Sequence, residues 1–317
     1  MLNYALRKLV GGVPLILGVT LISFTLMVYY GPDQTFELLS KNPSEAEIAQ
    51  VRAQLGYDQP FIVRYGQYLK EMVTLDFGFS NSTGERVSAI LKRTIPVSLA
   101  LLAPGFILGN LFGIVLGLIA AWYRGGWIDK LIMGGAVIGM SISCLVVIVA
   151  FQALFGVLLG WFPVRGWAVH DVASYLHYVT VPTLASVFVT LGYNTRFFRA
   201  VLVEEINRDH VRTARAYGAG PFDILFHNVL KNALIPIVTR ILFTIPLIVV
   251  SGSLLIESYF GIPGVGKVTF DAITSGDQPI LKAVVSLTAV LFVLILILTD
   301  MLYRAVDPRV SLGSKPT

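Results

Sequence analysis

Residue types able to do covalent or metal chemistry are few in this chain and poorly spaced for it. Its 317 residues include one cysteine and four histidines. Cys144 excludes an intrachain disulfide and a Cys-rich metal site. It lies in an apolar run and reads as a small buried side chain. His170 and His177 lie seven apart, and His210 and His227 sit on another segment. No carboxylate-rich pocket surrounds either pair, so they read as surface histidines and no metal is assigned. A Gly-rich phosphate loop ending in Lys-Ser/Thr is absent, as are HExxH and a nucleophile elbow. The chain shows no catalytic, cofactor or nucleotide site of its own.

Uncharged polar residues recur inside the apolar runs: Asn110, Ser141, Ser143, Gln152, Thr190 and Asn194. In lipid such groups seek partners on neighbouring helices, so helix packing and a place on a translocation path are both open for each.

Local punctuation is densest in 203–238. Asp209 is placed to cap a short helix over His210–Tyr217, and Gly218 and Gly220 tolerate positive φ where that helix must stop. Pro221 suits the first turn of a second helix, Phe222–Asn232, with Ile224, Leu225 and Val229 along one face. Helix, glycine turn and helix make a compact knob that a partner can grip and move as a unit. The plainer reading is a solvated basic loop that fixes topology.

The elements that position these residues are membrane helices. Hydrophobic residues make up 55% of the chain and charged residues 14%, against roughly 25% charged in soluble domains. So few charges cannot cover a water-soluble protein of this size. The net charge of +5 is scattered between apolar runs rather than gathered beside aromatic residues, which argues against nucleic acid as a partner.

A span needs about 20 apolar residues, and six runs qualify: Leu9–Tyr30, Val97–Trp122, Leu131–Trp161, Val179–Phe198, Ile235–Ile256 and Leu281–Tyr303. The first follows Arg7 and Lys8 but is too long for a signal peptide and has no small-x-small cleavage site, so it reads as a retained helix. The third exceeds one span and must tilt, kink near Ser141–Ser143 or run on into an interfacial helix. In the second, Gly105, Gly109, Gly113 and Gly117 form one face suited to close helix approach.

With both termini inside, the short cytoplasmic stretches carry Arg7, Lys8, Arg124, Lys130, Arg196, Arg199, Arg208, Arg212, Arg215, Lys231, Arg304, Arg309 and Lys315. The short outer loops 162–178 and 257–280 carry Arg165 and Lys267. Gly31–Pro96, which holds Asp33, Glu37, Glu45, Glu47, Asp58, Glu71, Asp76 and Glu85, then lies outside. Within it Ser44–Leu55 reads as a helix with a Ser44/Glu47 capping box and Gly56 past its end, and a second helix runs from Pro60 to Leu75.

Val13–Tyr30, Val97–Tyr123, Leu131–Trp161, Ile241–Ile256 and Ala283–Thr299 contain no Asp, Glu, Lys, Arg or His. Ion-coupled carriers keep such groups at depth. If this chain moves a solute uphill, the energy comes from a partner.

Arg212-Thr213-Ala214-Arg215-Ala216-Tyr217-Gly218, followed by His227-Asn228-Val229-Leu230-Lys231-Asn232-Ala233-Leu234-Ile235-Pro236, resembles the coupling-helix motif of ABC-transporter permeases of the dipeptide/oligopeptide/nickel importer family. Leu55-Gly56-Tyr57-Asp58-Gln59-Pro60 and Leu75-Asp76-Phe77-Gly78-Phe79-Ser80 resemble the outer segment of its B-type members. Glu257-Ser258-Tyr259-Phe260 with Pro263-Gly264-Val265-Gly266 resembles the last outer loop, and Asp307-Pro308-Arg309 the C-terminal end. Tyr217 stands where Lys is common, Ser141-Ile142-Ser143 where Ser-Ile-Pro is common, and Gly261-Ile262 where Ser-Trp is common.

The resemblance implies an all-α membrane protein of about six transmembrane helices with the type I ABC importer permease fold, in the bacterial inner membrane. It divides into a first helix (1–30), an outer segment (31–96), a core (97–303) with the coupling loop 203–232, and a tail (304–317). It implies as partners a homologous second permease, two ATP-binding subunits, an extracytoplasmic substrate-binding protein and the lipid bilayer. ATP and Mg would sit on the partners, with no cofactor on this chain. Asp209, Arg212, Thr213, Ala214, Arg215, Ala216 and Gly218 are then the ATPase-coupling residues, with the small ones permitting close docking and the arginines making polar contacts. Asn110, Ser141, Ser143, Gln152, Asn194 and Glu257 are candidates for the path. Glu257 either lines the outer mouth, meeting a peptide amino terminus, or has a structural role, capping Ser258-Tyr259 or pairing with Lys267. The cargo is a di- or oligopeptide, with nickel or another small solute as the alternative within the family. A secondary carrier, or a subunit without a transport role, is the alternative outside it.

Overall fold

The computed structural model describes residues 2–31, 35, 44–54, 56–249 and 253–306. Asp33, Glu37, Leu55, Asp307-Pro308-Arg309 and Lys315 fall outside that set. The described residues form helices α1 (Leu2–Tyr30), α2 (Glu45–Gln54), α3 (Phe61–Thr74), α4 (Val87–Trp122), α5 (Trp127–Ser141), α6 (Cys144–Phe151), α7 (Val172–Ile206), α8 (Asp209–Ala216), α9 (Pro221–Asp223), α10 (Lys231–Leu247), α11 (Ser253–Phe260), α12 (Val265–Ser275) and α13 (Gln278–Val306). The one extended pairing among them is an antiparallel bridge between Phe79 and Arg86. Five helices are long and apolar enough to cross a membrane, and the bent pair α5–α6 makes a sixth if it is counted as one span.

Two compact units divide the chain. The first comprises Met1–Val97 and Pro263–Ile297. The Ser44/Glu47 capping box forms in both directions, with Ser44 N–H donating to Glu47 Oε2 (2.8 Å) and Glu47 N–H to Ser44 Oγ (3.3 Å). These bonds hold the Glu47 carboxyl below its usual range. Gly56 takes φ +70° past the end of α2. In α3, Phe61, Tyr65, Tyr68 and Met72 share a helical stripe that packs with Phe24, Phe77, Val87, Ile90, Leu91, Ala272, Ile280, Ala283 and Val284. The fully buried Tyr68 ring stacks on Phe24 at 5.5 Å. Its hydroxyl donates to the Lys282 carbonyl (3.2 Å) and accepts from Ser286 Oγ (2.9 Å). Burial pushes that hydroxyl up to about 12, with the Ser286 bond working the other way.

Helix α4 begins at Val87, ten residues before the apolar run expected from Val97. Val87, Ile90 and Leu91 recur at helical spacing and are buried, so the first turns are amphipathic rather than lipid-like. Pro96, the expected end of the outer segment, lies inside the helix.

The second unit comprises Ser98–Ile262 and Leu298–Thr317. Here the α4 glycine row meets α7. A Cβ at Gly105 would lie 2.7 Å from Ser186 Cβ, at Gly109 2.5 Å from Thr190 Oγ1, at Gly113 2.7 Å from Asn194 Cβ, and at Gly117 3.0 Å from Phe198 Cβ. Only glycine allows this approach. Helix α7 is far longer than the Val179–Phe198 run because Asp171 and Ser174 start it with a capping box, and Tyr175 donates to the Ala100 carbonyl (2.7 Å). On another face, Gly192 lies against Ala136 and Met140 of α5.

The overlong third run breaks at Ile142–Ser143, with a 93° bend between its halves. Ile142 takes an extended conformation (φ −87°, ψ 130°). The second half widens into a π-helical turn, Gln152–Leu158. The expected separate helix Phe222–Asn232 is instead continuous with the fifth span: α9 passes through a π-helical turn, Ile224–Leu230, into α10. The described part of this candidate span runs Pro221–Leu247, and Ile256 lies in α11 beyond residues 250–252, which fall outside the described set. The expected outer loop 257–280 is largely helical, in α11 and α12.

Candidate functional site

Helix α8 is built as a fixed projection. Val211, fully buried, joins Phe198, Leu202, Ile224, Val229, Ala233 and Ile237 in one apolar cluster. Below it lies Glu205, 6% exposed. Its carboxylate takes Arg208 Nε at 3.0 Å and faces His210 Nε2 at 3.3 Å. The same His210 nitrogen lies 3.2 Å from the Asn228 carbonyl and 3.1 Å from Asn232 Nδ2. His210 thus ties the end of α7 to the π-turn; it is exposed, as expected of a surface histidine, but it is not without partners. His227 pairs locally with Asp223 (2.9 Å).

The far end of α8 closes on Gly218, at φ +83°. Gly218 N–H donates to the Arg215 carbonyl (3.0 Å) and Ala219 N–H to the Ala214 carbonyl (3.0 Å), the two bonds of a Schellman motif. Gly220 is extended (φ −70°), so only Gly218 uses the freedom that both glycines offered. Asp209 is not the N-cap: Arg208 holds that place, without a side-chain cap bond. Asp209 lies in the first turn, 3.6 Å from Arg212, and its charge still complements the helix dipole. Thr213 Oγ1 donates to the Asp209 carbonyl (3.0 Å). Arg212, Thr213, Arg215, Ala216, Tyr217 and Gly218 are exposed, and Ala214 is half-buried. The seven expected coupling residues therefore sit on one short helix and its stop, with most of their surface open.

The path candidates do not form one constellation. Asn194 Nδ2 donates across from α7 to Asn110 Oδ1 (3.3 Å) and the Gly109 carbonyl (3.4 Å), and Asn110 Nδ2 donates to the Phe106 carbonyl (2.8 Å). Both are buried beside the glycine row. Gln152 Nε2 donates to the carbonyls of Val164 (3.1 Å) and Tyr259 (3.0 Å), and Arg165 adds bonds to Tyr259 (3.1 Å) and Ser258 (3.2 Å). These bonds fasten 164–165 to the end of α11. Glu257, on α11, is fully buried, and its carbonyl accepts from Ile262 N–H (2.9 Å). Lys267 lies 3.8 Å from Asp271. Ser141 and Ser143 are exposed at the α5–α6 break, where Ser141 Oγ donates to the Val137 carbonyl (2.8 Å). His177 packs on Phe162 (5.6 Å), and Cys144 is half-buried.

Two charged groups, Asp129 and Arg240, lie just outside the apolar windows. Asp129, 4% exposed at the start of α5, takes both Arg199 Nε and a second guanidinium nitrogen at 2.6 Å, with Gly125 N–H at 2.9 Å. Arg240 lies inside α10, over the Phe197 ring at 5.4 Å. Glu205 would have been legible from its spacing to Arg208, an i,i+3 pair. The Asp129–Arg199 pair had no local signal.

The described residues thus supply five or six membrane-length helices and one short projecting helix between two of them. Two family profiles match. One, described as binding-protein-dependent transport system inner membrane component, covers residues 113–312, and its N-terminal companion covers residues 1–102. This chain belongs to that family, as a multi-pass inner-membrane permease of the ABC importers.

Among curated relatives, a putative peptide transport system permease protein of Brucella abortus is 30% identical over 307 residues, 96% of this chain and 98% of its own length. The glutathione transport system permease protein GsiC of Salmonella typhimurium is 34% identical over 98% of this chain and 99% of its own. The dipeptide transport system permease protein DppB of Bacillus subtilis is 33% identical over 99% and 100%. Among solved structures, the MetNI methionine ABC transporter in an inward-facing conformation aligns with TM-score 0.57 and 20% identity, over 69% of this chain and 97% of that one. The type I importer fold is common to both.

Proposed function

We propose that this chain is one membrane subunit of an ATP-driven peptide importer, with both termini cytoplasmic. Its partners are a homologous second permease, two ATP-binding subunits holding ATP and Mg, and an extracytoplasmic substrate-binding protein. Hydrolysis on the ATP-binding subunits moves α8, and the bundle alternates between outward-facing and inward-facing states. The observation that carries this reading is the construction of α8: buried Val211 and Glu205, with His210 bonded beside them, fix its root, while Arg212, Arg215 and Tyr217 stay exposed. A rigid root and a bare polar face suit a helix that receives a push. The names of the relatives favour a peptide as cargo. Asn110, Ser141, Ser143, Gln152, Asn194 and Glu257 remain the candidates near the path.

The coupling test is Gly218→Pro, because proline cannot reach φ +83°. Membrane insertion is expected to persist, with ATPase association and uptake both lost; retained uptake overturns the assignment of the loop. The cargo test is uptake of labelled di-, tri- and longer peptides, and of nickel, in a deletion strain with and without the gene. Gene-dependent peptide uptake that stops on ATP depletion is expected. Nickel uptake alone moves the cargo to a metal, and uptake that follows the proton gradient instead of ATP overturns the importer reading.

The 31–96 segment is proposed to meet the binding protein. Since α3 carries Tyr68 into its unit's core, the clean variant deletes α2 only. Undiminished uptake without α2 removes that helix from the contact.

A further inference from the structure

A charged side chain inside a span marks a functional position unless a partner neutralises it. The other cations near this part of the chain have an evident partner or an open position. Arg199 is held bidentately by Asp129, Arg208 lies against Glu205, and Arg196 is exposed. Arg240 has neither. It lies nine residues past Lys231 and seven before Leu247, so about 14 Å of helix separates it from the first and about 10 Å from the second. Apart from Thr239, the residues that flank it from Ile235 to Phe243 are apolar.

The guanidinium sits over the Phe197 ring at 5.4 Å, half-buried, and its Nε is buried without a hydrogen-bond partner. Among the described residues no carboxylate lies within ion-pair distance of it. The hydroxyls beside it along its own helix already donate elsewhere, Thr239 Oγ1 to the Ile235 carbonyl (2.6 Å) and Thr244 Oγ1 to the Arg240 carbonyl (2.7 Å). A ring face attracts the cation but takes none of the N–H donors, which lie in the guanidinium plane. The planar fork is therefore held in place by Phe197 and left with unused donors. Such a fork matches a carboxylate in bidentate geometry.

We propose that Arg240 receives the C-terminal carboxylate of the peptide during its passage, with Phe197 as the platform that orients the guanidinium. This rests on the peptide-importer reading above. A free carboxylate is the one anion that every unmodified linear peptide carries, whatever its side chains. A single cation on the path therefore suits a permease whose cargo varies in sequence.

The test uses the whole reconstituted complex in proteoliposomes, with Cys144→Ala removing this chain's only thiol. Thr244→Cys then places a reporter one turn from Arg240, and its reaction with a negatively charged thiosulfonate is timed. A free-carboxylate tripeptide is expected to slow labelling. Arg240→Gln should raise the concentration needed for that protection about tenfold, while the C-terminally amidated tripeptide should protect both chains at the same concentration. Arg240→Lys keeps the charge without the fork and should fall between; it serves as the comparison if the glutamine variant does not assemble. Equal protection constants for both peptides in both chains overturn the proposal. So does a reporter thiol that never reacts, or protection that tracks anionic lipid in the vesicle rather than peptide. Peptide uptake by the unaltered complex is measured alongside: its absence sinks the importer reading itself, and its presence with no effect at Arg240 sinks only this inference.

Discussion

Ser82 and Asp277 meet across 195 residues of sequence, with the Ser82 N–H (3.1 Å) and hydroxyl (2.7 Å) both donating to Asp277 Oδ2. Ser80 Oγ adds a third bond to the same oxygen at 2.5 Å. Asp277 is fully buried at the junction of α12 and α13, and the 76–86 turn is fastened there by this one carboxylate.

Asp277→Ala leaves those donors unsatisfied, and hydrogen bonds to a charged group contribute about 1.5–3 kcal/mol each in favourable cases. A loss of roughly 3 kcal/mol is expected, read as a lower thermal midpoint in detergent and faster proteolysis within 76–86. A variant as stable as the parent would mean that the Phe79–Arg86 turn holds itself in place.

Asp129 and Arg199 should behave as a coupled pair. Removing one partner leaves a buried charge, a change that costs about 3–5 kcal/mol. Arg199→Met and Asp129→Asn are each expected to lower the detergent melting point sharply, and the double variant to fall no further than the worse single. Additive losses in a double-mutant cycle would show that the two groups stabilise the fold separately.

The glycine row supplies its own internal control. Gly113→Ala would place a methyl 2.7 Å from Asn194 Cβ, and overpacking of this kind costs about 1–3 kcal/mol. At Gly134 of α5 an added Cβ meets nothing within 4 Å, so Gly134→Ala should leave stability within about 0.5 kcal/mol. Equal melting points for the two variants would contradict the close approach of α4 and α7.

Much of this architecture is written locally. Ser44 and Glu47 are three apart and cap each other, Gly218 stops α8, and Pro221 starts the next helix, all within one or two turns. The spans follow from hydropathy because lipid demands it. Hydropathy failed where a helix changes surroundings along its length. The amphipathic turn Val87–Leu91 faces protein, so α4 starts before its apolar run, and the helix expected over Phe222–Asn232 merges with the next span. Asp209 is a good capping residue, yet Arg208 takes the N-cap place, because the start of α8 is set by its packing through Val211 and by the Glu205 contacts. Asp129 with Arg199, 70 residues apart, had nothing in the sequence to join them. Gln152, Asn110 and Asn194 were legible as polar residues in apolar runs, but only their neighbours show that two of them bridge helices and the third fastens a loop.

The four α4 glycines and the four α7 residues they meet, Ser186, Thr190, Asn194 and Phe198, advance in the same steps of four. Each step is about 6 Å of helix axis. A slip of one residue would bring Phe106, Asn110, Ile114 and Leu118 to the places where no side chain fits. The pair is therefore toothed like a rack. It holds its register or jumps a whole notch, so a small displacement of α7 would carry α4 with it instead of sliding past.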